Sequence, residues 1–279
     1  MLQLRRITSG GRFIPEIDGL RFAAIASVVL YHLHGFVVID GVVAHTQDSF
    51  RAFVQHGYRG VNLFYVISGF ILGLPFAVRS TLVRRTLLLA VILFAGTAKA
   101  HYWDASLRLK LTILYAVQFF LAGFLLADIY LVDWKERPAS HWGWDLLSLV
   151  CWPLLFVLGD AEVWIYLPFL ILAVYVAAFR GVLFKRLFRH TAITVIGGMC
   201  YTIYLFHYIL IRPILRLTKV VHIGSNFDFY FSLQMLLYLS IMLLASGLYF
   251  IFLERPCMEK DWPRRAFHRI ACLAGRERR

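Results

Sequence analysis

Charge is scarce in this chain: 16% of its 279 residues are Asp, Glu, Lys or Arg, against about 25% in a soluble domain. That shortage excludes a disordered tail or an ordinary cytosolic enzyme. Cysteine is scarce too, with Cys151, Cys200, Cys257 and Cys272 only. They form no CxxC pair and no Cys/His cluster, so neither a disulfide framework nor a metal site is indicated. Zinc-finger spacing and a basic stripe are both missing, so the net charge of +13 does not mark a nucleic-acid binder. The basic stretch Met1–Arg12 and the apolar run after it lack a small-residue cleavage pattern. They read as a retained first span, not a signal peptide. No internal repeat or low-complexity tract is visible.

Apolar residues are abundant instead. They make up 60% of the chain, and the mean hydropathy is +0.70. Such a composition belongs to an all-α, polytopic membrane helix bundle. A bilayer core of about 30 Å takes roughly 20 apolar residues as helix. Eight runs qualify as candidates: Gly19–Val38, Gly60–Val78, Arg85–Ala98, Leu111–Ala127, Trp142–Leu158, Val163–Phe179, Thr191–Ile211 and Phe229–Leu253. The third is short, and the fifth contains Pro153 with Asp145 near its start.

Cations orient these spans. With both termini cytoplasmic and eight crossings, 20 Lys and Arg fall on inside segments and 7 on outside ones. Arg21 and Arg212 lie within or at the ends of spans. This asymmetry follows the positive-inside rule. Residues 1–255 then form one membrane domain, and residues 256–279 a basic cytoplasmic tail suited to anionic headgroups. The longest polar stretch, Asp40–Arg59, with His45 and His56, is an outside loop.

Ionisable groups inside a span are expensive and therefore mark function by default. Arg21 and His32 are eleven residues apart in the first span. Eleven steps make about three turns plus 20°, so both leave one face, separated by about 16–17 Å of rise. Arg21 is expected near the cytoplasmic headgroups, where its plain role is to snorkel and pair with Asp18. His32 is expected past the midplane. A buried imidazole is biased towards neutrality and can accept a proton from a hydroxyl. The arginine can hold phosphates of a cytosolic donor. Ser68-Gly69 permits close helix approach, and Asn62 reads as a helix cap. His207 is the second intramembrane histidine, expected at a depth similar to that of His32. Tyr201, Tyr204 and Tyr208 read as interface anchors and packing aromatics. Glu254-Arg255 reads as a local ion pair at the inner boundary.

Four stretches, EIDGLRFAAIASVVLYH, GVNLFYVISGFIL, CYTIYLFHY and FLERP, stand in order along nearly the whole chain. Together they resemble the acyltransferase-3 family of bacterial integral-membrane O-acyltransferases. The resemblance implies a multi-pass inner-membrane (plasma-membrane) enzyme of the class transferring groups other than aminoacyl groups. The donor it implies is acyl-CoA, commonly acetyl-CoA, with no bound cofactor. The acceptor it implies is a hydroxyl of a cell-envelope or exported saccharide, free or lipid-linked. The family's Arg-x10-His pair falls on Arg21 and His32. Asp18, Ser68, His207, Arg84, Arg85 and Glu254 are candidates for binding donor or acceptor. Membrane lipids are the other expected partner.

The chain also departs from that pattern. Typical members have about ten spans, and their arginine-rich stretch before Pro-Tyr and their Trp-Ser-Leu-Glu motif are both absent here, as if an in-frame segment had been lost. Asn62 stands where Asp is common, and Cys200 where Ser is. Arg79, Arg84 and Arg85 are the nearest replacements for the missing cations. Two further readings follow: a non-catalytic relative that assembles with a partner, and a transporter. The paired half-length segments of many transporters are not seen.

Overall fold

A bilayer offers no water to backbone amides, so apolar runs of this length must satisfy their hydrogen bonds internally as helices. The computed structural model describes residues 13–39, 53–77, 82–101, 113–218, 227–259 and 262, and every regular element among them is helical. The N-terminal stretch, most of the polar loop with His45, and most of the basic tail lie outside the described residues. The helices are α1 Pro15–Ile39, α2 Gly60–Gly73, α3 Leu82–His101, α4 Val117–Asp128, α5 Trp142–Val157, α6 Asp160–Arg180, α7 Leu183–Phe188, α8 Thr191–Gly198, α9 Cys200–Thr218, α10 Phe227–Tyr249 and α11 Arg255–Cys257. Short 3₁₀ turns flank α2, and π turns extend α4 and α10.

Each of the eight predicted runs overlaps a helix. Four helical segments are long and apolar enough to cross a membrane: Pro15–Val37, Gly57–Phe76, Leu114–Asp133 and Phe229–Cys257. The broken pair α8 and α9 makes a fifth if taken as one span. The other runs fall short for physical reasons. Helix α3 has 20 residues but carries Arg84, Arg85 and Lys99. Helices α5 and Trp164–Arg180 are apolar but shorter. On α3 and α5 the large apolar side chains Leu87, Phe94, Leu146 and Leu149 are exposed, as on surfaces that meet hydrocarbon.

The chain forms two compact units, one of Pro15–Gly197 and one of Gly198–Arg279 with Met1–Ile14. The division falls inside the seventh predicted run. In the larger unit α2 lies against α4 through glycines. A Cβ on Gly69 would stand 2.0 Å from the carbonyl oxygen of Phe120, and one on Gly123 2.2 Å from that of Val66. Apolar side chains gain little from hiding among apolar lipid, so close backbone packing of this kind holds membrane helices together. Ser68 itself is exposed; the close approach belongs to Gly69. Asn62 sits in the first turn of α2, and the N-cap position is Arg59, without a side-chain cap.

Long-range polar contacts in this unit tie helix ends together. The fully buried Arg59 donates from Nη1 to the Leu155 carbonyl and from Nη2 to the Leu158 carbonyl, both at 2.7 Å. It thereby answers the last carbonyls of α5, where a cation is also favoured by the helix dipole. Lys99 is fully buried with its ammonium 3.4 Å from the Trp164 ring centroid and 3.6 Å from that of Tyr115. Phe119 lies 5.3 Å away on the same cation, so three aromatic faces surround it. Arg85 bridges to Asp128 at 2.5 Å and to both oxygens of Asp133 at 3.0 Å.

Substituting Gly69→Ala or Gly123→Ala is expected to lower the thermal unfolding temperature in detergent, by an overpacking cost of about 1–3 kcal/mol. Ser68→Ala, one position away on the exposed side, is expected to leave it unchanged.

Candidate functional site

Helix α1 carries the two residues that the sequence singles out. It opens with Pro15 and has Glu16 and Asp18 in its first turn, where proline and carboxylates suit the exposed amides. Arg21, one turn on, donates from Nη1 to Asp18 Oδ1. The expected Asp18 pairing is present, and both side chains are buried: Arg21 is 9% exposed and Asp18 3%. Side chains on a helix lean towards its N-terminus, and the bond to Asp18 holds the guanidinium in that direction. Nearby in the larger unit, the buried Tyr175 hydroxyl donates to the Leu63 carbonyl at 2.6 Å.

His32 is half-buried. Its ring meets Tyr31 edge-on, with centroids 5.1 Å apart. Tyr31 in turn meets Tyr58 at 5.8 Å, and Tyr58 meets His56 at 6.1 Å. His32 therefore belongs to a chain of aromatic rings that brings the second imidazole, His56, from the segment before α2. Close approach makes this junction: a Cβ on Gly57 or Gly60 would run into the α1 carbonyls of Ser27 and Ala24. His34, two positions on, is buried.

The other predicted residues are placed elsewhere. Arg84 donates to the Phe76 carbonyl at 2.8 Å. The fork of Arg85 is committed to Asp128 and Asp133, so it tethers α3 to the end of α4. Ser68 faces outward and joins neither end of the Arg21–His32 face. In the smaller unit, buried His207 has Nδ1 2.6 Å from the Tyr204 carbonyl, and its own carbonyl accepts from the Tyr238 hydroxyl at 2.7 Å. Glu254 accepts a hydrogen bond from the Thr202 hydroxyl; the described residues show no ion pair between it and Arg255. Tyr201, Tyr204 and Tyr208 are exposed, in keeping with surface aromatics.

A basic pocket escaped the sequence reading. Val182, Lys185, Arg186, Arg189, His190 and Thr191 line an open surface depression of about 480 Å³. Its frame is α7, fixed from a distance by Asp145. That buried carboxylate accepts the amide hydrogens of Val182 at 2.8 Å, Leu183 at 3.1 Å and Phe184 at 3.0 Å. Phe188 closes the other end of α7 against Trp152 and against Gly19 of α1. Arg189 reaches Glu16 at 3.8 Å, so the pocket adjoins the foot of the helix that carries Arg21 and His32. The run KRLFRH was legible only as cations on an inside segment; nothing local announces that Asp145 folds it into the wall of a depression.

No protein-family profile, curated protein or solved structure matches this chain.

Removing Asp18 while keeping Arg21 leaves a buried guanidinium without its carboxylate. Asp18→Ala is expected to destabilise the larger unit by about 3–5 kcal/mol, and the double change with Arg21→Met by distinctly less. Thermal unfolding of the four corners of this double-mutant cycle measures the difference.

Proposed function

We propose that this protein is a membrane-embedded O-acyltransferase of the acyltransferase-3 type. It moves an acyl group, acetyl in the first instance, from acyl-CoA to a hydroxyl of a cell-envelope or exported saccharide. The observation that carries the reading is α1 itself. One helix bears a buried, carboxylate-held guanidinium and, eleven residues along the same face, an imidazole set in a cluster of rings.

His32 takes the proton of the acceptor hydroxyl as general base. The acceptor oxygen attacks the thioester carbonyl, the carbon–sulfur bond breaks, and the coenzyme leaves as thiolate, which takes up a proton. Arg21 does not stabilise the oxyanion. Its side chain leans away from His32 towards Asp18, across a rise of about 16–17 Å. It positions the far end of the donor, and the pantetheine arm bridges the interval to the imidazole. The donor enters from the cytosol, and the acceptor from the opposite side or from within the bilayer.

Eight crossings with both termini cytoplasmic, in a bacterial inner membrane, complete the proposal. Contacts within the larger unit support that threading. Arg59 on Leu158, and Lys99 on Tyr115 and Trp164, each join ends assigned to the outside. Arg85 on Asp133 and Lys185 on Pro138 join ends assigned to the inside. One observation favours the second reading, a non-catalytic relative that assembles with a partner. Arg85, a natural substitute for the missing donor-binding cations, is occupied by two carboxylates.

In nanodiscs with labelled acetyl-CoA and a saccharide acceptor, wild type is expected to transfer label. His32→Ala is expected to reduce the rate by at least about 10²-fold, the usual scale of a general base. Arg21→Lys is expected to raise KM for the donor more than it lowers kcat. Equal transfer by wild type and His32→Ala removes His32 from the mechanism.

A further inference from the structure

The basic pocket beside α7 answers a question that Arg85 leaves open: where the phosphates of a donor are held. We propose that the pocket lined by Lys185, Arg186, Arg189 and His190 binds the phosphate groups of the soluble acyl-CoA donor, an assignment that rests on the acyltransferase reading. Four observations carry it.

First, the cations surround an open depression of about 480 Å³ that charged phosphates can reach from solvent. Second, the wall is built rather than accidental. Asp145 holds three successive amides at the start of α7, and Lys185 Nζ is fixed on the Pro138 carbonyl at 3.4 Å and on Ser140 Oγ at 3.3 Å. Third, the charge balance favours an anion. Two carboxylates meet the lining: Asp145 is committed to backbone amides, that of Val182 among them, and Glu16 lies 3.8 Å from Arg189, while the Arg186 guanidinium has no hydrogen-bond or ion-pair partner among the described residues. A guanidinium with its donors uncommitted in a concave site suits a phosphate fork. Fourth, Glu16 stands five residues before Arg21 on α1. The pocket thus adjoins the same end of α1 that carries Arg21.

The test uses the full chain in nanodiscs of phosphatidylcholine alone, so that no anionic headgroup competes. Coenzyme A and inorganic pyrophosphate are titrated by calorimetry. Wild type is expected to bind both, more weakly as salt rises. Arg186→Gln is expected to weaken each about tenfold, the scale of one charge-assisted contact, and Arg186→Lys to retain most of the affinity. Coenzyme A bound equally by wild type and Arg186→Gln overturns the assignment. So does failure of wild type to bind either probe while phosphatidylglycerol nanodiscs raise its unfolding temperature in an Arg186-dependent way. The cations would then serve a lipid headgroup. Failure of the acyltransferase reading has a different signature: Arg186-dependent binding of coenzyme A with no acyl transfer by wild type.

Discussion

An ionised side chain inside an apolar helical bundle must be answered, because the surroundings will not solvate it. That constraint organises the larger unit. Arg21 is answered by a carboxylate one turn back on its own helix, and Arg85 by two carboxylates on another. Arg59 is answered by the carbonyls at the end of α5, and Lys99 by ring faces. Asp145 is answered by three amides. In lipid the apolar contacts add little preference for one neighbour over another. The polar contacts therefore choose which helices meet and in what register, and glycines such as Gly69 and Gly123 let them close.

Much of this was legible in the residue pattern, and the division is physical. Helices announce themselves through uninterrupted apolar runs, so all eight runs overlap helices. The pairing of Arg21 with Asp18 was legible because both lie on one turn. Gly69 was legible as a point of close approach because small residues serve that role in any membrane bundle. Contacts between distant segments were not. Nothing near Arg85 says that Asp128 and Asp133 will hold it, and the aromatic surroundings of Lys99 come from three separate stretches. Burial was not legible either: position along the run places Arg21 near a headgroup layer but does not say that it lies buried beside Asp18. Chain division was illegible for a similar reason: the seventh apolar run is continuous in composition, yet its helix breaks between Gly198 and Cys200.

The candidate site shows how burial and chemistry constrain each other. A guanidinium held at the N-terminal side of its own helix cannot also reach an imidazole three turns on. The two members of the Arg-x10-His pattern are thus separated in space, and the proposed acyl transfer gives them separate tasks. The half-exposed imidazole sits among rings that can shape an approach to it. The arginine and the cations of α7 lie at the other end of α1, where charged groups of a long donor would be sorted. His207, Glu254 and Thr202 belong to the smaller unit and have local partners of their own.

Arg59 carries a consequence for biosynthesis. Its guanidinium is synthesised 96 residues before the Leu155 carbonyl that receives it. While the intervening helices emerge from the ribosome, this cation has no carbonyl cage, and an isolated arginine resists lipid. The segment before α2 therefore gains its final hydrogen bonds only once α5 has been made, so the closing of this part of the unit depends on a helix that arrives much later.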